Sequence, residues 1–150
     1  MEVSSVQKSV LAIAIALGLV LVIAAACGSK TGSNESVPTG KVIKTVPVKS
    51  LTATLSNDSG VLKRGNQELM VSFTDASGKP SDVGAVSLNF HMDQMGTMSA
   101  MNDTVTFTTT STPGIYRGKI NIEVAGEWQG QLAYEGPAGS GKTTFTVTAR

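Results

Sequence analysis

One cysteine, one histidine and one tryptophan in 150 residues leave little room for several kinds of chemistry. A lone cysteine, Cys27, cannot form an internal disulfide, so a hydrophobic core must hold the fold alone. With His91 as the sole histidine, there is no donor set for a zinc catalytic site and no nucleophile–histidine–carboxylate triad. No nucleophile motif is present either, and Asp82, Asp93 and Asp103 are not arranged for paired acid–base work, so an enzyme is not expected. Charge is nearly balanced, 12 Lys+Arg against 11 Asp+Glu, and no basic stripe could track phosphates. Nucleic acid is therefore not an expected partner. Amphipathic helices are missing as well.

Long apolar runs are also scarce: there is one, Val10 to Ile23. Lys8 precedes it, and Ala24-Ala25-Ala26 leads from it into Cys27. A charged start, an apolar middle and small residues before a cleavage point make a secretory targeting segment. The cysteine makes it resemble the bacterial lipoprotein signal, in which that residue is lipidated and becomes the new N-terminus. One departure is Ala24, which stands where that signal usually has leucine. Two alternatives stay open. The run approaches the roughly 17 to 25 residues that span a bilayer, so it could serve as an uncleaved anchor helix. Ordinary cleavage after the alanines would instead leave Cys27 as a free thiol. All three place the remainder outside the cytoplasm, and the lipoprotein reading gives membrane attachment through Cys27. The expected organisation is a signal peptide at 1–26, a lipidated cysteine and flexible tether at 27–48, and one domain at 49–150.

The stretch from Gly28 to about Val48 is small and polar, too poor in apolar residues to order itself. Val42, Ile43, Val46 and Val48 could alternatively add an edge strand. From Leu51 onward, short runs alternate apolar and polar residues between turn signals. Leu51, Ala53 and Leu55 form one inward face; Leu69, Val71 and Phe73 the next; then Val86, Leu88, Phe90 and Met92. Val105, Phe107 and Thr109 follow, then Tyr116 to Val124, then Trp128 to Tyr134, and last Phe145 and Val147. About seven strands without helices predict an all-β, immunoglobulin-like antiparallel β-sandwich. Trp128 is expected in its core, and Tyr116, after Pro113-Gly114, is expected to form a tyrosine corner with nearby backbone.

Residues 136–143, GPAGSGKT, satisfy the phosphate-loop pattern G-x-x-x-x-G-K-[ST]. That loop works only where it opens a helix. Here Thr144 to Arg150 alternates as a strand and no later segment could hold Mg²⁺, so nucleotide binding is not expected.

The chain's six methionines are unevenly spread: four fall in residues 91–101, HMDQMGTMSAM, beside the only histidine. Gly96, Thr97, Ser99, Asn102 and Asp103 make that stretch a loop rather than a helix. One methionine is ordinary core filler. Several on a polar loop gain little from packing and invite oxidation. Thioether sulfur is a soft donor that selects Cu(I) and needs no deprotonation to bind. The expected ligands are Met95, Met98 and Met101, with Met92 or His91 as a fourth. If the strand continues through Met92, that residue points inward and His91 outward, so the two cannot share one ion. The alternative is a metal-free surface for a protein partner.

With these residues in view, the region from about Leu51 to Ala149 resembles the YtkA-like domain family, related to FixH-like proteins. The matching segments are Asp75-Ala76-Ser77-Gly78-Lys79-Pro80, Phe90 with the methionine loop, Pro113-Gly114-Ile115-Tyr116-Arg117-Gly118, and Ala125-Gly126-Glu127-Trp128. The resemblance implies an extracytoplasmic or membrane-anchored domain of immunoglobulin-like fold. It also implies copper handling or haem–copper oxidase assembly, with a membrane copper protein or oxidase subunit as partner. It maps the family's methionine-rich loop onto Met92, Met95, Met98 and Met101. Many members carry a methionine shortly before Gly-x-Trp, where this chain has Val124.

Overall fold

The computed structural model describes residues 40–137 and 139–150; the expected signal segment, Cys27 and the first part of the expected tether lie outside them. Nine strands run in order: β1 (Lys41–Val48), β2 (Leu51–Asn57), β3 (Gly65–Thr74), β4 (Ala85–Met92), β5 (Met101–Thr104), β6 (Thr106–Thr109), β7 (Ile115–Ile122), β8 (Gly126–Gly136) and β9 (Gly139–Ala149). No helix occurs among the described residues. They form two antiparallel sheets, β1-β2-β3-β7-β6 and β5-β4-β8-β9. Leaving β1 aside, this is the immunoglobulin arrangement, with four strands of one sheet facing a second sheet built around the chain's later hairpins.

The alternating runs form strands because each buries one face. In β7 and β8 burial follows the period of two: Ile120 and Ile122 point inward while Lys119 and Asn121 face solvent, and Trp128, Leu132 and Tyr134 alternate with Glu127, Gln131 and Glu135. Phe73, Phe90 and Trp128 are wholly enclosed between the sheets. Burial of each contributes on the order of 2–3 kcal/mol. Two glycines make room for the aromatics. Phe90 and Phe145 lie opposite Gly130 on its two sides and meet edge-on, with ring centroids 6.3 Å apart. A Cβ on Gly130 would fall within the Phe145 ring, and one on Gly118 would collide with Val105 and Phe107.

Three features differ from the sequence expectation. Residues 41–48 are not tether but strand: β1 pairs with β2 from Lys41↔Asn57 to Val48↔Leu51, and buries Val46 and Val48. Its lysines and Pro47 suit an edge strand, the alternative that Val42, Ile43, Val46 and Val48 had offered. The expected Val105–Thr109 strand is β6, Thr106–Thr109, and a further short strand, β5, precedes it in the other sheet where loop was expected. Val105 itself is buried at the crossover, its N–H bonded to the Leu88 carbonyl at 2.9 Å. These two features raise the count from about seven strands to nine. Third, Tyr116 bonds to distant rather than nearby residues. Its hydroxyl donates to Asp82 Oδ1 at 2.9 Å and accepts the Val83 N–H at 3.2 Å, tying β7 to the loop between β3 and β4. Burial, with the Asp82 carboxylate alongside, raises the phenol's pKa above its ordinary value.

Trp128 is in the core as expected, its Nε1–H bonded to the Val124 carbonyl at 3.1 Å. The phosphate-loop pattern lies on the β8–β9 hairpin, with Lys142 and Thr143 inside β9 rather than at a helix N-terminus.

Candidate functional site: a methionine hairpin at one pole

The methionine stretch is the top of a hairpin made by β4 and β5. Their register pairs Asn89↔Thr104, Phe90↔Asp103, His91↔Asn102 and Met92↔Met101. The same register resumes at the tip, where Met95 and Met98 exchange two backbone hydrogen bonds, at 3.2 and 2.9 Å. Gly96 and Thr97 form the two-residue turn between them. Gly96 has φ +58°, while Thr97 is not in the positive-φ region. Glycine at the first central position with positive φ is the signature of a type II′ turn, whose twist suits a hairpin.

This register sorts the four methionines into two directly opposed pairs. Cβ atoms at such positions lie about 4.5–5.5 Å apart, so side chains within a pair can touch. Met92 is buried and Met101 half-buried against the core, and the Met92 methyl reaches the backbone at Gly126. Met95 and Met98 are exposed, by 53% and 44%, although residues of this kind are normally covered. Asp93-Gln94 and Ser99-Ala100 separate the pairs, unpaired and exposed. Three residues of strand span up to about 10 Å, so the tip pair and the base pair are distinct groups unless the unpaired stretch bends.

Because β4 continues through Met92, His91 lies on the opposite face. It belongs to a hydrogen-bonded polar row that sequence reasoning missed. Its Nδ1 lies 2.9 Å from Asn102 Oδ1 and its Nε2 3.0 Å from Asp93 Oδ1. Asn89 donates to the same Asn102 oxygen, and Thr104 donates to Asn89 Oδ1 at 3.1 Å. Both imidazole nitrogens therefore face acceptors, the arrangement of a protonated ring. The Asn102 and Asp93 bonds raise the His91 pKa above its ordinary value. A metal could take one nitrogen only after that nitrogen lost its proton and its partner. The signal for this row was the hairpin register, which brings residues 91 and 102 together only once the turn is known to lie at 96–97.

Among the described residues no three His, Cys, Asp or Glu side chains are grouped to hold a metal ion. Any metal at this pole would thus rely on thioethers.

A family model described as YtkA-like matches residues 45–133, more than half of the chain. The chain belongs to the YtkA-like family. The matched span runs from β1 to the middle of β8 and contains the whole methionine hairpin. This is not a known enzyme family, and membership points to an extracytoplasmic domain. No curated protein and no solved structure matches the chain.

Proposed function

We propose that this protein is a membrane-anchored, extracytoplasmic copper-binding domain that holds Cu(I) on its methionine hairpin for copper handling or oxidase assembly. The observation that carries this reading is the tip pair: two exposed thioethers at directly opposed positions, fixed by a type II′ turn and not used for packing. Soft sulfur donors favour Cu(I), and neutral thioethers bind it without releasing protons. Met95 and Met98 supply the first two ligands. Met101, half-buried at the base of the same hairpin, is the third, reached by bending at Ser99-Ala100. Met92 faces the same side as Met101 and is the fourth donor. His91 can join only by leaving Asn102 or Asp93.

Lipidation at Cys27 holds the domain at the cell membrane, and a membrane copper protein or oxidase subunit is its partner in exchange. Anaerobic titration of residues 40–150 against a chromophoric Cu(I) chelator tests the binding. One equivalent of Cu(I) is expected, lost when Met95, Met98 and Met101 are all changed to leucine. Unaltered binding in the triple variant rejects the site.

A second reading has its own observation. The four methionines fall two and two, with Met92 and Met101 engaged by the core. A metal-free interaction module would use Met95 and Met98 alone as an adaptable apolar tip. In that case wild-type chain takes up no Cu(I) in the same titration.

A further inference from the structure

The two ends of the sandwich are not alike. One end carries the β1–β2 turn at Lys49-Ser50, the Asp75–Pro80 turn and the turn between β8 and β9. The other carries the methionine hairpin, the β2–β3 loop, the β7–β8 turn and the end of β9. These are joined there by the Leu62↔Ala149 bridge and by the Met92 methyl against Gly126. Lys41 pairs with Asn57 at the last position of β2, so the chain enters the domain at this second end, beside the β2–β3 loop. The direction of β1 follows from its pairing and does not depend on the residues before it.

The exposed large apolar side chains of the described residues are Val42, Met95 and Met98, and all three lie at that same end. The hairpin tip between Gln94 and Ala100 carries no charge. Cations and acids nearby leave no net positive charge, with Lys41, Lys63, Arg64 and Arg150 against Asp58, Asp93, Asp103, Glu123 and Glu127. Attraction at this end is therefore apolar rather than a matter of headgroup charge. Twelve residues, 28–39, separate Cys27 from Gly40, thirteen chain steps that reach at most about 45 Å. The eleven residues of β9 hold the far end of the sandwich about 35 Å beyond the near one, so the near end meets the bilayer with the tether slack, whereas the far end would need most of the tether drawn out along the domain.

We propose that the methionine-hairpin end is the face the domain turns toward the lipid bilayer, so that its thioether tip rests at the membrane surface. This deepens the proposed function, and rests on the anchor within it. It gives the direction of exchange, toward an acceptor within the membrane rather than one on the soluble side.

Full-length chain carrying Thr97→Cys or Ala76→Cys tests this. With Cys27 lipidated, the introduced thiol is the only one to accept an environment-sensitive fluorophore. Each labelled chain is placed on vesicles of phosphatidylcholine alone, and of phosphatidylcholine with phosphatidylglycerol, both containing headgroup-quencher lipid. The expected result is loss of emission at position 97, little at position 76, and the same ranking on both vesicle types. Equal loss at the two positions, or greater loss at 76, overturns the proposal while leaving the anchor in place. A chain that fails to float with vesicles, and whose Cys27 takes the label, rejects the anchor and this orientation together. Cu(I) binding by residues 40–150 is measured in solution and stands or falls apart from either result.

Discussion

Removing one oxygen atom at Tyr116 should cost far more than removing one at Tyr134. The ring of Tyr116 is buried against Phe73, edge-on at 5.9 Å, and its hydroxyl serves two groups at once. It donates to Asp82 Oδ1 and accepts the N–H of Val83, a buried residue. In Tyr116→Phe the exposed Asp82 carboxylate turns to water at small cost. The Val83 N–H cannot, and a buried donor left without a partner costs about 1–3 kcal/mol. About 2 kcal/mol in all corresponds to a fall in Tm of roughly 10 °C for a domain of this size. Tyr134 also packs edge-on to Phe73, at 5.5 Å, but its hydroxyl makes no hydrogen bond among the described residues. Tyr134→Phe should stay within about 0.5 kcal/mol of wild type. Urea unfolding of residues 40–150, followed through Trp128 fluorescence, gives both values. The pH dependence adds a check. The Gly84 N–H and the Tyr116 hydroxyl hold the Asp82 pKa below its ordinary value. A depressed carboxylate contributes stability above the unfolded pKa, near 4, that is lost as pH falls through the folded one. The gap between wild type and Tyr116→Phe should therefore narrow in acid below that point. Equal stability of the two phenylalanine variants at pH 7 would refute the account of this contact.

Gly130→Ala should destabilise by about 1–3 kcal/mol through overpacking, because the added methyl meets the Phe145 ring that lies edge-on to Phe90; a neutral result in urea would contradict that packing. Gly96→Val places a β-branched residue at φ +58° and should open the tip, weakening Cu(I) binding in the chelator titration with less than about 1 kcal/mol lost from global unfolding. Unchanged affinity would mean the turn does not organise the sulfurs. The single histidine gives one clean NMR titration. Its raised pKa means that its hydrogen bonds stabilise the hairpin below the ordinary value near 6.5 and are lost as pH rises through the folded value. Asp93→Asn should bring that pKa down, and no change would remove Asp93 as its partner.

Much of the sandwich could be read from alternation, since each inward run from Leu69 to Phe73, and from Trp128 to Tyr134, has a buried period of two. Strand β1 was legible only as the alternative to a tether, because lysines and a proline dilute its two buried valines, and an edge strand needs no more than those. The sheet switch at Val105 escaped because alternation says nothing about which sheet a residue joins. The position of the methionines was legible, but their pairing was not. The sequence grouped Met95, Met98 and Met101 with Met92 or His91 as a fourth, whereas the register set by Gly96 opposes Met92 to Met101 and Met95 to Met98. The partners of Tyr116 and His91 likewise depend on register and loop placement, which local composition does not encode.

The claim that thioethers of this hairpin hold Cu(I) is tested most directly by following the methionine methyl groups themselves. In residues 40–150 labelled with [¹³C-methyl]methionine, Met70 is an internal reference, half-buried in β3 of the other sheet. Anaerobic addition of Cu(I) should move the Met95, Met98 and Met101 signals together, saturating at one equivalent, while Met70 stays in place. Hairpin signals that remain still, or that move no further than Met70, would contradict the assignment.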